Sequence, residues 1–256
     1  MLGGTKISAP AARPDRTGVQ QELALEDVSK PLDVAKIARI TLGLILGMLA
    51  TAALVALTAT LGFAEKAIVP AEVSVEELMK PGDLPDTILG SADAKVTVVE
   101  YASMTCGHCQ KFATTVFPEF KTKYIDTGKV RFIMREFPLD NLAAAASMLA
   151  RCAGEGKTFP MIETLYEKQA DWAFTTGNPV PKLFDIAKQA GFTQETFDKC
   201  LTDQKLLDNI NAGRKRASDT FGVTATPTFF INGKKLTETP IVASFDKVIE
   251  PLLAAK

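Results

Sequence analysis

The sequence predicts an α/β domain whose sheet is interrupted by a large helical insertion, carried behind a helix long enough to cross a membrane. Three observations lead to this expectation. A β-branched run, "KVTVVEYAS" (Lys95 to Ser103), passes directly into a C-x-x-C pair and then into helical spacing. Strand signals stop after Leu139 and return at "TPTFFINGKKL" (Thr226 to Leu236), with helical patterning between. Near the N-terminus, 25 consecutive residues from Ile40 to Ala64 carry no charge.

Residues 1–36 mix Pro, Gly, Ser and charges without apolar periodicity and read as a disordered tail. Residues 37–64 hold the apolar run, which as a helix is about 37 Å long against a hydrocarbon core of about 30 Å. Lys30, Lys36 and Arg39 precede it, so the positive-inside tendency places the tail in the cytoplasm and everything after residue 64 on the far side of the membrane, held there by the anchor. The competing reading is a cleaved signal with Gly62 and Ala64 at the cleavage site, which leaves a soluble exported protein. Either way the remaining chain lies in an oxidising compartment. Residues 65–85, with Pro70, Pro81, Pro85 and a short helical signal at Ser74 to Met79, read as a linker.

The domain is expected over residues 86–256. Its first strand is Lys95 to Ser103, long and apolar enough to be buried. Phe112, Val116, Phe120 and Tyr124 recur at helical spacing after the cysteine pair, and Pro118 within that pattern should kink the helix or interrupt it. Lys129 to Leu139 reads as a second strand after the turn at Gly128. The insertion, about 141–220, divides into helices at Ala143 to Cys152, Phe159 to Gln169, Pro181 to Ala190, Thr193 to Leu201 and Gln204 to Phe221. Trp172, Phe159 and Phe174 read as packing residues of this insertion, and the Arg214 to Arg216 run as a solvated helix face. Asn232-Gly233 between two short runs predicts a type I′ hairpin, and a last amphipathic helix spans about Ser244 to Ala254.

A formal net charge of -1 over 256 residues gives no electrostatic reason to expect nucleic acid as a partner. No G-x-G-x-x-G or P-loop is present, so no nucleotide or flavin cofactor is expected. Zinc wants four ligands, usually as two close pairs, whereas Cys152 and Cys200 stand alone in sequence; no metal is expected. Cys152 and Cys200 either pack as reduced core residues or close a structural disulfide, and the oxidising compartment favours the disulfide.

Strand, C-x-x-C and helix follow one another in "VTVVEYASMTCGHCQKF", and "TATPTFF" sets Pro227 just ahead of a strand. With these features the chain resembles the DsbA-like branch of the thioredoxin superfamily, bacterial exported dithiol oxidoreductases, over about residues 86–254. The 121 positions from Cys106 to Pro227 leave room for the helical material that this branch inserts into the thioredoxin-like fold. The resemblance implies that Pro227 is cis, that Cys106 is the nucleophile and Cys109 the resolving thiol. It further implies that Glu100 is an acidic proton relay on the strand, and that Gly107 and Thr226 meet the substrate. Exported proteins with cysteines would be the substrates, and a DsbB-like membrane protein the reoxidant; the catalytic domain would lie in the periplasm, anchored to the inner membrane or, after signal cleavage, soluble there. Two positions depart from the best-known pattern. Gly107-His108 stands where that pattern has Pro-His and resembles eukaryotic disulfide isomerases, and Thr226 stands where some members have Val. Both leave the direction open between oxidase and isomerase or reductase.

The chemistry needs a thiolate, and a free cysteine with a pKa of about 8.5 is mostly protonated at neutral pH. At a helix N-terminus Cys106 would meet unpaired N–H groups and the positive end of the macrodipole, and His108 adds a donor or a charge. A pKa near 5 would favour the dithiol by about 2.7 kcal/mol at pH 7, or about 60 mV of oxidising power. The rival from another class is a non-catalytic, chaperone-like binding module whose cysteines are incidental.

Overall fold

The computed structural model describes residues 72–255. The apolar run read as a membrane anchor lies outside them, and no helix among the described residues is long and apolar enough to cross a membrane.

The sheet has five strands: β1 (Thr87–Leu89), β2 (Val96–Ala102), β3 (Val130–Glu136), β4 (Thr228–Ile231) and β5 (Lys234–Lys235), in the order β1-β3-β2-β4-β5. β2 and β3 run parallel, while β1, β4 and β5 pair antiparallel with their neighbours. The central place of β2 is written in its composition, since a strand with two neighbours and two covered faces must be apolar nearly throughout. Its alternate residues separate cleanly: Val96, Val98 and Ala102 join a core with Phe112, Phe120, Phe132 and Phe245, whereas Val99 and Tyr101 join Phe221, Phe230 and Ile133 on the other face. Glu100 belongs by register to the first face. At the far edge Asn232 (φ 45°) and Gly233 (φ 86°) take the left-handed conformations that a two-residue hairpin of type I′ requires.

α1 (Val75–Met79) is capped by Ser74. Its chain is bridged to β5 through Glu72 and Lys234, and Val73 donates to the Gly233 carbonyl at 2.8 Å. Three arginines pin the stretch from α1 to β1. Arg135 binds Asp86 through two nitrogens (2.7 and 2.9 Å) and the Leu78 carbonyl (2.7 Å). Arg151 donates to the Pro85 carbonyl (2.5 Å), and Arg216 to the carbonyls of Glu77 and Lys80 (2.6 and 2.9 Å). Over its described part, the stretch expected as a linker is therefore packed on the domain. Arg216 is an anchor rather than part of a solvated face. Local sequence hides this, because the carbonyls that arginines seek are invisible in a pattern of side chains.

The helix after the cysteines is built of α2 (Gly107–Lys111), a π-helical turn (Phe112–Val116), α3 (Phe117–Phe120) and a second π-helical turn (Lys121–Ile125). Pro118 has no N–H to give the turn before it, and the wide turns on either side absorb the misfit without ending the helix. The insertion comprises α4 (Asn141–Cys152), α5 (Thr158–Glu167), α6 (Gln169–Trp172), α7 (Val180–Gln189), α8 (Gln194–Leu201) and α9 (Gln204–Phe221), and α10 (Val242–Ala254) closes the described chain. Cys152 and Cys200 are bonded to each other, joining α4 to α8. Trp172 is fully buried and donates to the Leu165 carbonyl at 2.9 Å, but Phe174 is 62% exposed, so the packing role expected for Phe174 does not hold. Only Trp172 lies on the short α6 that faces the core; Phe174 follows the end of that helix.

Candidate active site

The end of β2 and the start of α2 place the two cysteines. Cys106 is the N-cap of α2, with extended backbone (φ -82°, ψ 118°), and its sulfur accepts from the Cys109 N–H at 3.4 Å. This is the geometry by which an N-cap side chain serves an orphan helical N–H, with sulfur where serine would put oxygen. Cys106 is 8% exposed and Cys109 wholly buried; both are free thiols. One sulfur is thus reachable and its partner is sealed beneath it.

The Thr226–Pro227 bond is cis, and it brings the Thr226 carbonyl 3.3 Å from the Cys106 sulfur, where it accepts from the thiol. The Thr226 hydroxyl is buried and makes no hydrogen bond elsewhere in the protein. As a thiolate, Cys106 becomes an acceptor for several donors at once. Its pKa is held down to about 5, first by the Cys109 thiol, against the opposing effect of burial, and further by the Thr226 hydroxyl and the main-chain N–H groups of Cys109 and His108. His108 contributes through its backbone, and its side chain is exposed to solvent. Gly107 is exposed too, and a Cβ there would meet nothing within 4 Å.

Beneath the pair, Glu100 is 5% exposed on the central strand, with its pKa pushed up to about 8 by burial and then by the negative charge of Cys106. At neutral pH that carboxyl is mostly protonated. Burial also drives the Cys109 thiol well above the ordinary range, so Cys109 keeps its proton while Cys106 gives one up. Two neighbouring thiols are divided by environment into one that ionises readily and one that holds its proton.

The structure thus gathers Cys106, Cys109, Glu100, Thr226 and Pro227 into one site, with Gly107 and His108 on its outer rim. Cys152 and Cys200 stand apart, beside a cleft formed by Lys157, Phe192 and Thr196. Two residues of the site are not among those the sequence singles out. Tyr166 on α5 donates to the Ser103 carbonyl at 3.2 Å, and Gln169 on α6 donates to the carbonyls of Met104 (2.7 Å) and Cys106 (3.2 Å). A signal for them exists: Ile162, Leu165, Tyr166 and Gln169 share one helical face, and an amide at an apolar position of such a face implies a buried partner.

Residues 83–251 match the family model described as Thioredoxin. A provisionally named protein-disulfide oxidoreductase of Rickettsia bellii is 37% identical over 171 residues, covering 66% of this chain and 66% of that protein. A similarly named protein of Rickettsia prowazekii is 34% identical over 170 residues, 66% of this chain and 61% of its own length. The chain therefore spans somewhat less than two thirds of these curated relatives. The crystal structure of Wolbachia pipientis alpha-DsbA1 superimposes with a TM-score of 0.64 at 34% identity, covering 71% of this chain and 96% of that one. With a cysteine N-cap, a cis-proline beside it and a helical insertion across the sheet, the chain belongs to the DsbA-like branch of the thioredoxin superfamily.

Proposed function

We propose that this chain is an exported thiol:disulfide oxidoreductase that donates a Cys106–Cys109 disulfide to folding exported proteins. The observation that carries the reading is the division of the pair: a reachable sulfur surrounded by donors that favour its anion, above a sealed one that stays protonated. A thiolate stabilised in this way is a good leaving group, so a disulfide that contains it is easily reduced and therefore oxidising.

In the cycle, a substrate thiolate attacks Cys106 and breaks the bond to Cys109, which leaves as a thiolate and takes a proton from Glu100. A second substrate thiol, as its thiolate, attacks the substrate sulfur of the mixed disulfide and expels Cys106 as a thiolate. The substrate has lost two electrons and gained a disulfide; the enzyme holds the dithiol. A DsbB-like membrane protein would return it to the disulfide. Beside Cys106, a cleft of about 360 Å³ lined by Lys111, Val116, Pro227, Pro240 and the half-exposed Ile241 suits an extended, partly apolar peptide. Pro227 offers that peptide no competing N–H, leaving the main chain of Thr226 to pair with it. The N-terminal apolar run supports tethering at the inner membrane with this domain in the periplasm.

Thiolate absorbance of the reduced protein, followed against pH, should show a midpoint near 5. A Cys109→Ala variant should accumulate mixed disulfides with exported substrates, and the reduction potential should lie well above the roughly -270 mV of thioredoxin. A potential near that value would move the assignment to a reductase. A Cys106→Ser variant with full activity would leave only a chaperone-like binding module.

A further inference from the structure

Glu100 can hold one proton, so each cycle obliges it to exchange with solvent. The route past Cys106 is covered whenever a substrate is bonded there. A second approach to Glu100 is marked by two neighbouring spaces. Glu100 borders a cavity of about 20 Å³, whose other walls include Phe112, Phe159, Ile162 and Glu163. That volume is room for about one water. Beyond it lies a surface cleft of about 320 Å³, bounded by the exposed Pro118 and Thr122. The two spaces share Ala113, Phe117 and Glu163, so Glu163 stands at the neck between the buried carboxyl and bulk water.

The helix is opened at this place. Phe117 donates to the Phe112 carbonyl in the wide register of the π turn. The next donor in that register would serve Ala113, but Pro118 occupies its position and has no N–H. At the neck, therefore, the π register supplies no N–H for the Ala113 carbonyl, which stands beside a small side chain.

Resting on the oxidoreductase reading above, we propose that Glu163 is the outer proton-exchange residue of the buried couple, working through Glu100 and a water in this cavity. When Cys109 leaves as a thiolate, Glu100 protonates it, and the resulting carboxylate recovers a proton from solvent by way of Glu163. When the dithiol is reoxidised, the same proton travels outward. The charged and titratable groups around the path are Cys106, Cys109 and Tyr166 at the Glu100 end. At the Glu163 end they are Glu167 on the same helix and Lys121 across the cleft. Burial and Glu167 raise the Glu163 pKa, bringing it toward that of Glu100 as a relay partner should be.

The test is stopped-flow reduction of the oxidised full chain by a small thiol and by a cysteine peptide, over about pH 5 to 9, for the parent, Glu163→Gln and Glu163→Ala. Because Glu163 is exposed at its outer end, both variants should fold. The expected result is an unchanged Cys106 titration and reduction potential, a rate lowered about tenfold in both variants, an enlarged solvent isotope effect, and recovery of the Glu163→Ala rate with rising formate or imidazole. Rates equal to the parent, or a loss that no buffer restores and that tracks a shifted potential, overturn the proposal and leave the oxidoreductase reading intact. A parent protein that exchanges no disulfide at Cys106 removes both.

Discussion

The side-chain amide of Gln169 donates to the main-chain carbonyl of Cys106, tying the N-cap cysteine's own peptide to a helix of the insertion 63 residues away. The same nitrogen reaches the Met104 carbonyl, so one buried amide spans the turn that enters α2. The insertion thus shapes the active-site turn as well as roofing the site.

A Gln169→Leu variant should lose about 1–3 kcal/mol of stability, because the buried Met104 carbonyl would lose its side-chain donor while the Cys106 carbonyl keeps only the Gln110 N–H. A purely structural role would stop there. If Gln169 also sets the turn, the Cys106 titration midpoint should move upward and the reduction potential downward with it. Urea unfolding measures the first effect and thiolate absorbance the second.

The pH dependence of stability should differ between the two redox states. Cys106 has a depressed pKa in the folded dithiol, so its contribution is full above the unfolded value of about 8.5 and is lost as pH falls through about 5. Glu100 has a raised pKa, so the folded state prefers its protonated form, and stability declines as pH rises from the ordinary glutamate value of 4.5 to about 8. In the dithiol the two trends oppose each other. In the disulfide only that of Glu100 remains, with a slope of at most about 1.4 kcal/mol per pH unit. Without the Cys106 charge, burial alone holds the Glu100 pKa up, so the oxidised protein should weaken as pH rises above the ordinary glutamate value of 4.5 while the reduced protein changes little, and Glu100→Gln should flatten the oxidised curve. Chemical denaturation of both forms at several pH values checks the sign.

Cys152 and Cys200 close a loop of 48 residues in sequence separation within the insertion. Replacing both with serine should cost about 4 kcal/mol in the chain-entropy account, with the Cys106 titration unmoved because the bond borders none of the site's residues. Thermal unfolding of the double variant, alongside thiolate absorbance, separates the two effects. A shift in the titration would show that the insertion transmits strain to the turn.

Much of this protein was legible locally. The Gln204 to Phe221 helix, the strand before the cysteines and the Asn232-Gly233 turn follow from periodicity and backbone preference, which neighbouring residues settle among themselves. So does the placement of Cys106, since a cysteine at a strand-to-helix junction becomes an N-cap wherever that helix starts. β1 was illegible: Thr87–Leu89 is too short for a pattern, and it is a strand because β3 offers it an edge. α6 was equally hidden, four residues whose helical state is fixed by burying Trp172 and Gln169.

The amino-acid order alone determined which cysteine caps the helix, because an N-cap position and its unpaired N–H groups are properties of a few adjacent residues. Tertiary structure decided how readily its sulfur ionises and which buried carboxyl lies beneath it. The Thr226 hydroxyl, the low-dielectric setting of Glu100 and the neck at Glu163 arise only when segments distant in the chain are packed together, and electrostatic effects depend on that distance and burial rather than on sequence.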